Sequence, residues 1–228
     1  MNSNWFDYSM LFDNKKIDAV FSYSSFSITD SNYIKNFASA SGFNPENLII
    51  PDQTHSKNVE IVNKSGHIEN CDGVFSMGKE LICSLKVADC MPIFFVHKYS
   101  VIFGLVHVGW KGLVKGIISV VGTKLLENNL NLSEFQILIG PSIHSCCFEV
   151  DHNIIHNFEQ DFLIKKLNDK YSISLQLLVK KQLFDIGFIE ENIILDNQCT
   201  SCNDKKFYSY RRDNKNTGRM IALLGFRN

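Results

Sequence analysis

Leu81-Ile82-Cys83-Ser84-Leu85-Lys86-Val87-Ala88-Asp89-Cys90-Met91-Pro92-Ile93-Phe94-Phe95-Val96-His97-Lys98-Tyr99-Ser100-Val101-Ile102-Phe103-Gly104-Leu105-Val106-His107-Val108 is the stretch whose reading decides the fold. Residues 81–87, 92–96 and 101–108 are compact apolar runs rich in Val, Ile and Phe. Their length and flanks favour buried strands over helices. Lys98-Tyr99-Ser100 breaks the pattern where a hairpin turn would join the last two. Two reactive side chains stand where these runs stop: Cys90 follows the first, and His107 is carried by the third into Gly109-Trp110. A rigid strand end facing a cleft is the usual placement for chemistry.

Downstream the period changes. Leu113, Ile117, Val120, Val121, Lys124 and Leu125 follow i, i+3, i+4 spacing, which predicts a helix over 113–126. Gly112 and Gly116 near its start remove side chains and would let it lie close to the sheet. Residues 135–139 return to strand and end in Gly140-Pro141. Helices are expected over 152–167 and 175–186, with Gly187 ending the second, and strands over 193–195 and 220–224. Upstream, 19–23, 48–51 and 59–62 read as strands, with a helix over 31–41 carried by Ile34, Phe37, Ala38 and Ser41. Strands outnumber helices and neighbour one another in sequence. A mixed α+β fold is therefore expected over strict βαβ alternation.

The chain has 228 residues, 45% of them hydrophobic and 21% charged, with a formal net charge of −1. That length buries a substantial core, and without a repeat or a Pro/Gly-rich linker, one catalytic domain over 1–228 is expected. The near-neutral balance argues against nucleic-acid or membrane-surface partners, which leave a basic footprint. No apolar run approaches the ~20 residues that span a bilayer, and Met1-Asn2-Ser3-Asn4-Trp5-Phe6-Asp7 lacks a secretory pattern. Seven cysteines, an odd number, read as reduced thiols of a cytoplasmic protein.

His55, in Asp52-Gln53-Thr54-His55-Ser56, joins Cys90 and His107 as a possible His/Cys/His set, which would leave one position open on a tetrahedral zinc. Their spacing matches no short metal signature, and buried Cys and His are more often packing residues. Cys199-Thr200-Ser201-Cys202 is a CxxC pair without a second pair at finger spacing, so a structural zinc is not expected there. Adjacent Cys146 and Cys147 read as packing residues. His152 and His156, four apart on an expected helix, could share a metal, although a solvated helix face is the simpler account. Near the carboxy terminus, Phe207-Tyr208-Ser209-Tyr210-Arg211-Arg212-Asp213 and Thr217-Gly218-Arg219 combine aromatics with guanidinium forks suited to phosphate or carboxylate.

Together these pieces resemble the polyphenol oxidase (laccase)-like, or peptidoglycan editing factor, family, known also for purine nucleoside phosphorylase activity. The resemblance rests on Gln53-Thr54-His55, Cys71-Asp72-Gly73-Val74, Ala88-Asp89-Cys90-Met91-Pro92 and Val106-His107-Val108-Gly109-Trp110-Lys111-Gly112. It continues through Ile139-Gly140-Pro141-Ser142-Ile143, Cys147-Phe148-Glu149-Val150, Tyr208-Ser209-Tyr210-Arg211-Arg212-Asp213 and Thr217-Gly218-Arg219, in family order. It implies an α+β fold of mixed β-sheets flanked by helices, related to certain cysteine hydrolases, and a zinc ion on His55, Cys90 and His107. It also implies phosphorolysis of adenosine, inosine or methylthioadenosine and deamination of adenosine, with a purine nucleoside and inorganic phosphate as partners. On this reading His55, Cys90, His107 and Asp89 are catalytic, and Gln53, Asp72, Lys111, Tyr210, Arg211, Arg212 and Arg219 bind substrate. Asp89 or Asp72 could move protons, the alternative being a carboxylate that only orients a ligand histidine. Where the family typically has Phe-Ser-x-Arg-x-Gly-Gly-x-Ser, this chain reads Phe21-Ser22-Tyr23-Ser24-Ser25-Phe26-Ser27, and Lys111 stands where arginine is common.

Three alternatives stay open. His/His/Cys beside Met91 is a possible blue-copper set, but Met91 directly follows Cys90, and no His-x-His pair exists to build an oxygen-reducing cluster; copper is disfavoured. A cysteine hydrolase, including one that edits a peptidoglycan precursor, would use Cys90 as nucleophile and His107 as base. The third alternative is a non-catalytic metal-binding protein.

Overall fold

The computed structural model describes residues 4–26, 32–78, 80–166 and 170–227. Two six-stranded mixed sheets dominate. The first runs, in spatial order, Trp5–Asp7, Asp18–Ser22, Met220–Gly225, Ile82–Val87, Leu48–Pro51 and Gly66–Ile68. The second runs Ile193–Leu195, Phe135–Ile139, Met91–His97, Phe103–Val108, Gly73–Ser76 and Val59–Val62. A small antiparallel sheet joins Glu149–Val150, Tyr171–Ile173 and Leu163–Lys165.

The sheets pack face to face. Cys83, Leu85 and Val87 of the first share a core with Phe94, Val96, Phe103 and Leu105 of the second. The outer face of the second sheet, through Ile93, Phe95, Val106 and Val108, is covered by Ile117, Val121, Leu178 and Val179 of the helices Ile117–Glu127 and Leu175–Asp185. The outer face of the first is covered by Ile34, Phe37 and Ala38 of the helix Tyr33–Ala40. Central strands thus meet apolar surface on both faces, which is why 91–97 and 103–108 are buried at every position and apolar without alternation. The 91–97 and 103–108 strands form the expected hairpin.

Two expectations change. The helix expected over 113–126 is two helices, Trp110–Val114 and Ile117–Glu127. Gly116 separates them at φ 87°, a left-handed conformation that breaks the helical ladder. Residues 152–167 do not form one helix: after His152–Ile155 and a 3-10 turn, Leu163–Lys165 is a strand antiparallel to Tyr171–Ile173. The apolar spacing there serves ladder pairing, with Leu163 opposite the buried Ile173. The start of the 31–41 helix, the end of the 152–167 segment, and Ser27 lie outside the described residues. Among the described residues no helix is long and apolar enough to cross a membrane.

The fold sets the site by one crossover. Ile82–Val87 belongs to the first sheet and Met91–His97 to the second, so Ala88, Asp89 and Cys90 carry the chain between them. Asp89 makes the bend at φ 82°, a conformation that costs a non-glycine residue of order 1 kcal/mol or more and tends to mark functional sites.

Candidate active site

Cys90 sits on that crossover. His107 is the penultimate residue of the neighbouring strand, opposite Pro92, and His55 lies in the loop after Leu48–Pro51 at φ 57°. The three donor atoms lie within 4.8 Å of one another, with Cys90 Sγ 3.8 Å from His55 Nε2. Gly109 is what lets them converge: a Cβ there would lie 2.8 Å from Cys90 Sγ and 3.1 Å from His55 Cδ2. Gly112 admits a second close approach, to the carbonyl of Ser56 rather than to the sheet. Lys115 Nζ donates to the carbonyl of His55 at 2.9 Å, holding the same loop from outside.

Asp72 organises this end of the site from below. Its fully buried carboxylate accepts from the backbone N–H of His55 and Ser56 and from the Ser56 hydroxyl at 3.0, 2.7 and 2.7 Å. His107 Nδ1 stands 2.7 Å from Asp72 Oδ1. An acceptor-only carboxylate there keeps a proton on Nδ1, so that Nε2 would offer its lone pair to a metal that displaces any proton it carries, the usual support of a metal-ligating histidine. Burial disfavours the charged carboxylate, but the His107 and Ser56 hydrogen bonds outweigh it and hold Asp72 well below the ordinary carboxylate range. Burial likewise opposes charge on Cys90, yet the His107 charge and hydrogen bonds from His107 and His55 draw its thiol well below the usual value. His107 is raised in turn by Cys90 and Asp72 against its own burial.

The three donors open into a cleft of about 860 Å³, within the size range of small-molecule sites. Gln53, Lys111, Tyr210, Arg211 and Arg219 line it together with Asp89, as do Lys86, Trp110 and Phe148, to which the sequence reading assigned no substrate role. Gln53 is fixed by exchanging two hydrogen bonds with the backbone of Lys86, 2.9 and 2.8 Å. Arg211 lies over the Phe148 ring, 5.3 Å from its centroid, and donates to the carbonyls of Cys147 and Glu149.

Asp72 and Arg212, expected on the substrate wall, do not line the cleft. Asp72 is sealed beneath His107. Arg212 spends its guanidinium on the carbonyls of Thr200, Ser201 and Phe207 and on Asp213. Asp89 lines the cleft with both carboxylate oxygens engaged, by Thr200 Oγ1 at 2.7 Å, Ser209 Oγ at 3.0 Å and the backbone N–H of Arg211 at 2.7 Å. It therefore ties the crossover to the turn that presents Arg211. Met91, the residue after Cys90, is buried in the core beneath the helices. At the departed segment, Tyr23 instead faces Lys206, whose Nζ is 5.7 Å from its ring centroid.

Among the described residues one further metal-capable group appears: Cys146, Cys147, Cys199 and Cys202, with sulfurs within 4.8 Å of one another. Packing for the first pair and no structural zinc at the second were the expectations; the fold brings the two pairs together by joining their loops through the Ser142–Cys199 bridge, while Cys147 and Cys199 also pack against the core. The only sequence signal was two close cysteine pairs outside the apolar runs. His152 and His156 belong to neither group.

A two-sheet α+β core with a His/Cys/His site at its crossover defines the class, and the chain belongs to the family described as multi-copper polyphenol oxidoreductase laccase, whose model matches residues 30–227. The purine nucleoside phosphorylase YlmD of Geobacillus stearothermophilus is 28% identical over 200 residues, covering 80% of this chain and 73% of that protein. The protein of the same name in Bacillus subtilis is 29% identical over 199 residues, covering 80% and 72%. The crystal structure of the Geobacillus protein shares the fold, with a TM-score of 0.91 at 22% identity over 100% of this chain and 98% of that one.

Proposed function

We propose that residues 1–228 form one catalytic domain of a zinc-dependent purine nucleoside phosphorylase that acts on adenosine, inosine and methylthioadenosine and also deaminates adenosine. The observation that carries this reading is the composition of one cleft: His55, Cys90 and His107 with Lys86, Lys111, Arg211 and Arg219, and with Trp110, Tyr210 and Phe148. The printed names of the relatives support the substrate class.

The donor set fits zinc. One thiolate and two imidazoles leave a fourth tetrahedral position, and ideal Zn–S and Zn–N bonds separate S from N by about 3.6 Å, close to the 3.8 Å between Cys90 and His55. Bound there, the metal would supply Lewis acidity to activate water for attack on C6 of adenine. The burial of Met91 in the core, and the lack among the described residues of a second histidine-bearing group, weigh against a multi-copper oxidase site. The chain's own groups do the rest. The lysine and arginine side chains offer a cationic seat for phosphate attacking C1′ as the bond to N9 breaks. Trp110, Tyr210 and Phe148 offer faces on which a purine stacks. Asp72 holds His107 in one tautomer. Asp89 positions Arg211 through the backbone N–H it accepts, and because Asp72 is enclosed by donors of its own loop and His107, Asp89 is the one of the two that reaches the cleft for the proton-moving role.

The test is product analysis on adenosine. Adenine and ribose 1-phosphate should form only with phosphate present, and inosine with or without it. His107→Ala should lose both activities with its circular dichroism unchanged; unaltered turnover would refute the shared site.

A second reading rests on one observation. Asp72, His107 and the lowered Cys90 thiol are also the order of a Cys-His-Asp hydrolase, including one acting on a peptidoglycan precursor. Stoichiometric zinc in protein purified without added metal favours the phosphorylase. Inactivation of a metal-free, active enzyme by alkylation of Cys90 favours the hydrolase.

A further inference from the structure

We propose that Cys146, Cys147, Cys199 and Cys202 form a second metal site, a four-thiolate structural zinc centre that staples the two loops behind the arginine wall of the cleft. Cysteines that serve as small packing residues are buried. Cys146 and Cys202 are exposed, yet their sulfurs turn inward to 3.5 Å from each other, and Cys147 Sγ comes within 3.3 Å of Cys202 Sγ. All four sulfurs fall within 4.8 Å of one another. A tetrahedral ZnS4 centre with 2.3 Å bonds requires sulfurs about 3.8 Å apart, so a small adjustment of exposed side chains completes it. A disulfide explains less, since it joins two sulfurs at about 2.05 Å and leaves the other two gathered for no reason. Soft thiolates with no oxygen or imidazole donor select zinc over harder cations. The backbone N–H of His144 donates to Cys199 Sγ at 3.4 Å, the kind of surrounding hydrogen bond that supports a metal thiolate.

The position gives the centre its role. Cys147 and Glu149 lend their carbonyls to Arg211, and Thr200 and Ser201 lend theirs to Arg212. Thr200 also donates to Asp89 on the crossover. A metal joining the 146–147 loop to the 199–202 loop fixes every one of these acceptors at once. Four thiols lose their protons on binding, and no redox step is involved.

Elemental analysis of the full chain, purified under reducing conditions with zinc supplied, tests this directly. Two equivalents of zinc per chain are expected, one remaining in Cys202→Ser and one in His107→Ala. In the cobalt(II)-substituted protein, the tetrathiolate absorption should vanish in Cys202→Ser and persist in His107→Ala. If Cys202→Ser does not fold, the wild-type chain still decides: Cys146 and Cys202 should resist alkylation until a chelator strips the metal. Zinc content unchanged by Cys202→Ser, or equal alkylation of Cys146 and Cys202 with and without metal, would overturn the proposal. So would recovery of any two of the four as a disulfide from metal-loaded protein.

Discussion

Gly109→Ala puts the convergence of His55 and Cys90 to a direct test. Gly109 has φ −89° and ψ 166°, extended backbone that alanine adopts freely, so the substitution adds no torsional strain. What it adds is one carbon, 2.8 Å from Cys90 Sγ and 3.1 Å from His55 Cδ2. Carbon–sulfur contact needs roughly 3.6 Å or more, judged against ordinary heavy-atom contact distances, so the thiol must retreat by about 0.8 Å. A displacement of that order costs about 100-fold in a site that depends on alignment, equivalent to about 2.7 kcal/mol. Overpacking should lower global stability by only about 1–3 kcal/mol. The expected result is therefore a folded protein with about 100-fold weaker zinc binding in chelator competition and a similar loss of adenosine turnover. Gly116→Ala is the control: its φ of 87° strains the backbone, but no atom lies within 4 Å of the added carbon. It should cost about 1–2 kcal/mol of stability and leave the metal bound. If Gly109→Ala binds zinc and turns over like the wild type, the His55–Cys90 proximity is not the working geometry.

Phe94→Ala and Phe95→Ala should each destabilise by about 3–5 kcal/mol in urea unfolding, because the two rings lie in different cores on opposite faces of one strand; a negligible cost for either would contradict two-sided burial. Asp72→Ala should cost about 3–5 kcal/mol by the same assay, since it strands the donors of His55, Ser56 and His107, and a loss under 1 kcal/mol would show that the carboxylate does not hold the loop. Arg211→Ala should raise the KM for phosphate about tenfold or more, the scale of one lost charge-assisted contact. Arg212→Ala should instead lower Tm with KM for phosphate intact; a reversal of the pair would exchange their roles.

The boundaries of the strands Leu48–Pro51, Val59–Val62, Phe135–Ile139 and Ile193–Leu195 were legible in the sequence, because each run is dominated by apolar and β-branched residues and ends abruptly. Trp5–Asp7, Gly66–Ile68 and Gly73–Ser76 were not. Short strands that mix apolar residues with Asp7, Gly66, His67, Gly73 or Ser76 carry little propensity of their own and exist through the ladder a neighbour offers. The 152–167 segment failed for a related reason: helical spacing there is satisfied equally by a turn and a paired strand.

At the site, the sequence by itself determined which chemistry was available: the thiol and imidazoles at strand ends, and the arginines and tyrosines near the carboxy terminus. Only the tertiary structure decided how they are used. Arg211 and Arg212 are neighbours in the chain, yet one lines the cleft and the other clamps three carbonyls. Asp72 and Asp89, alike as carboxylates, become a histidine's support and a loop's anchor. The four cysteines of the second cluster had no readable partner until the Ser142–Cys199 bridge closed the gap between their loops. The physical reason is common to all three. A side chain's reactivity belongs to its residue type, but its partners, its burial and its protonation depend on which segments the two sheets bring within a few ångströms.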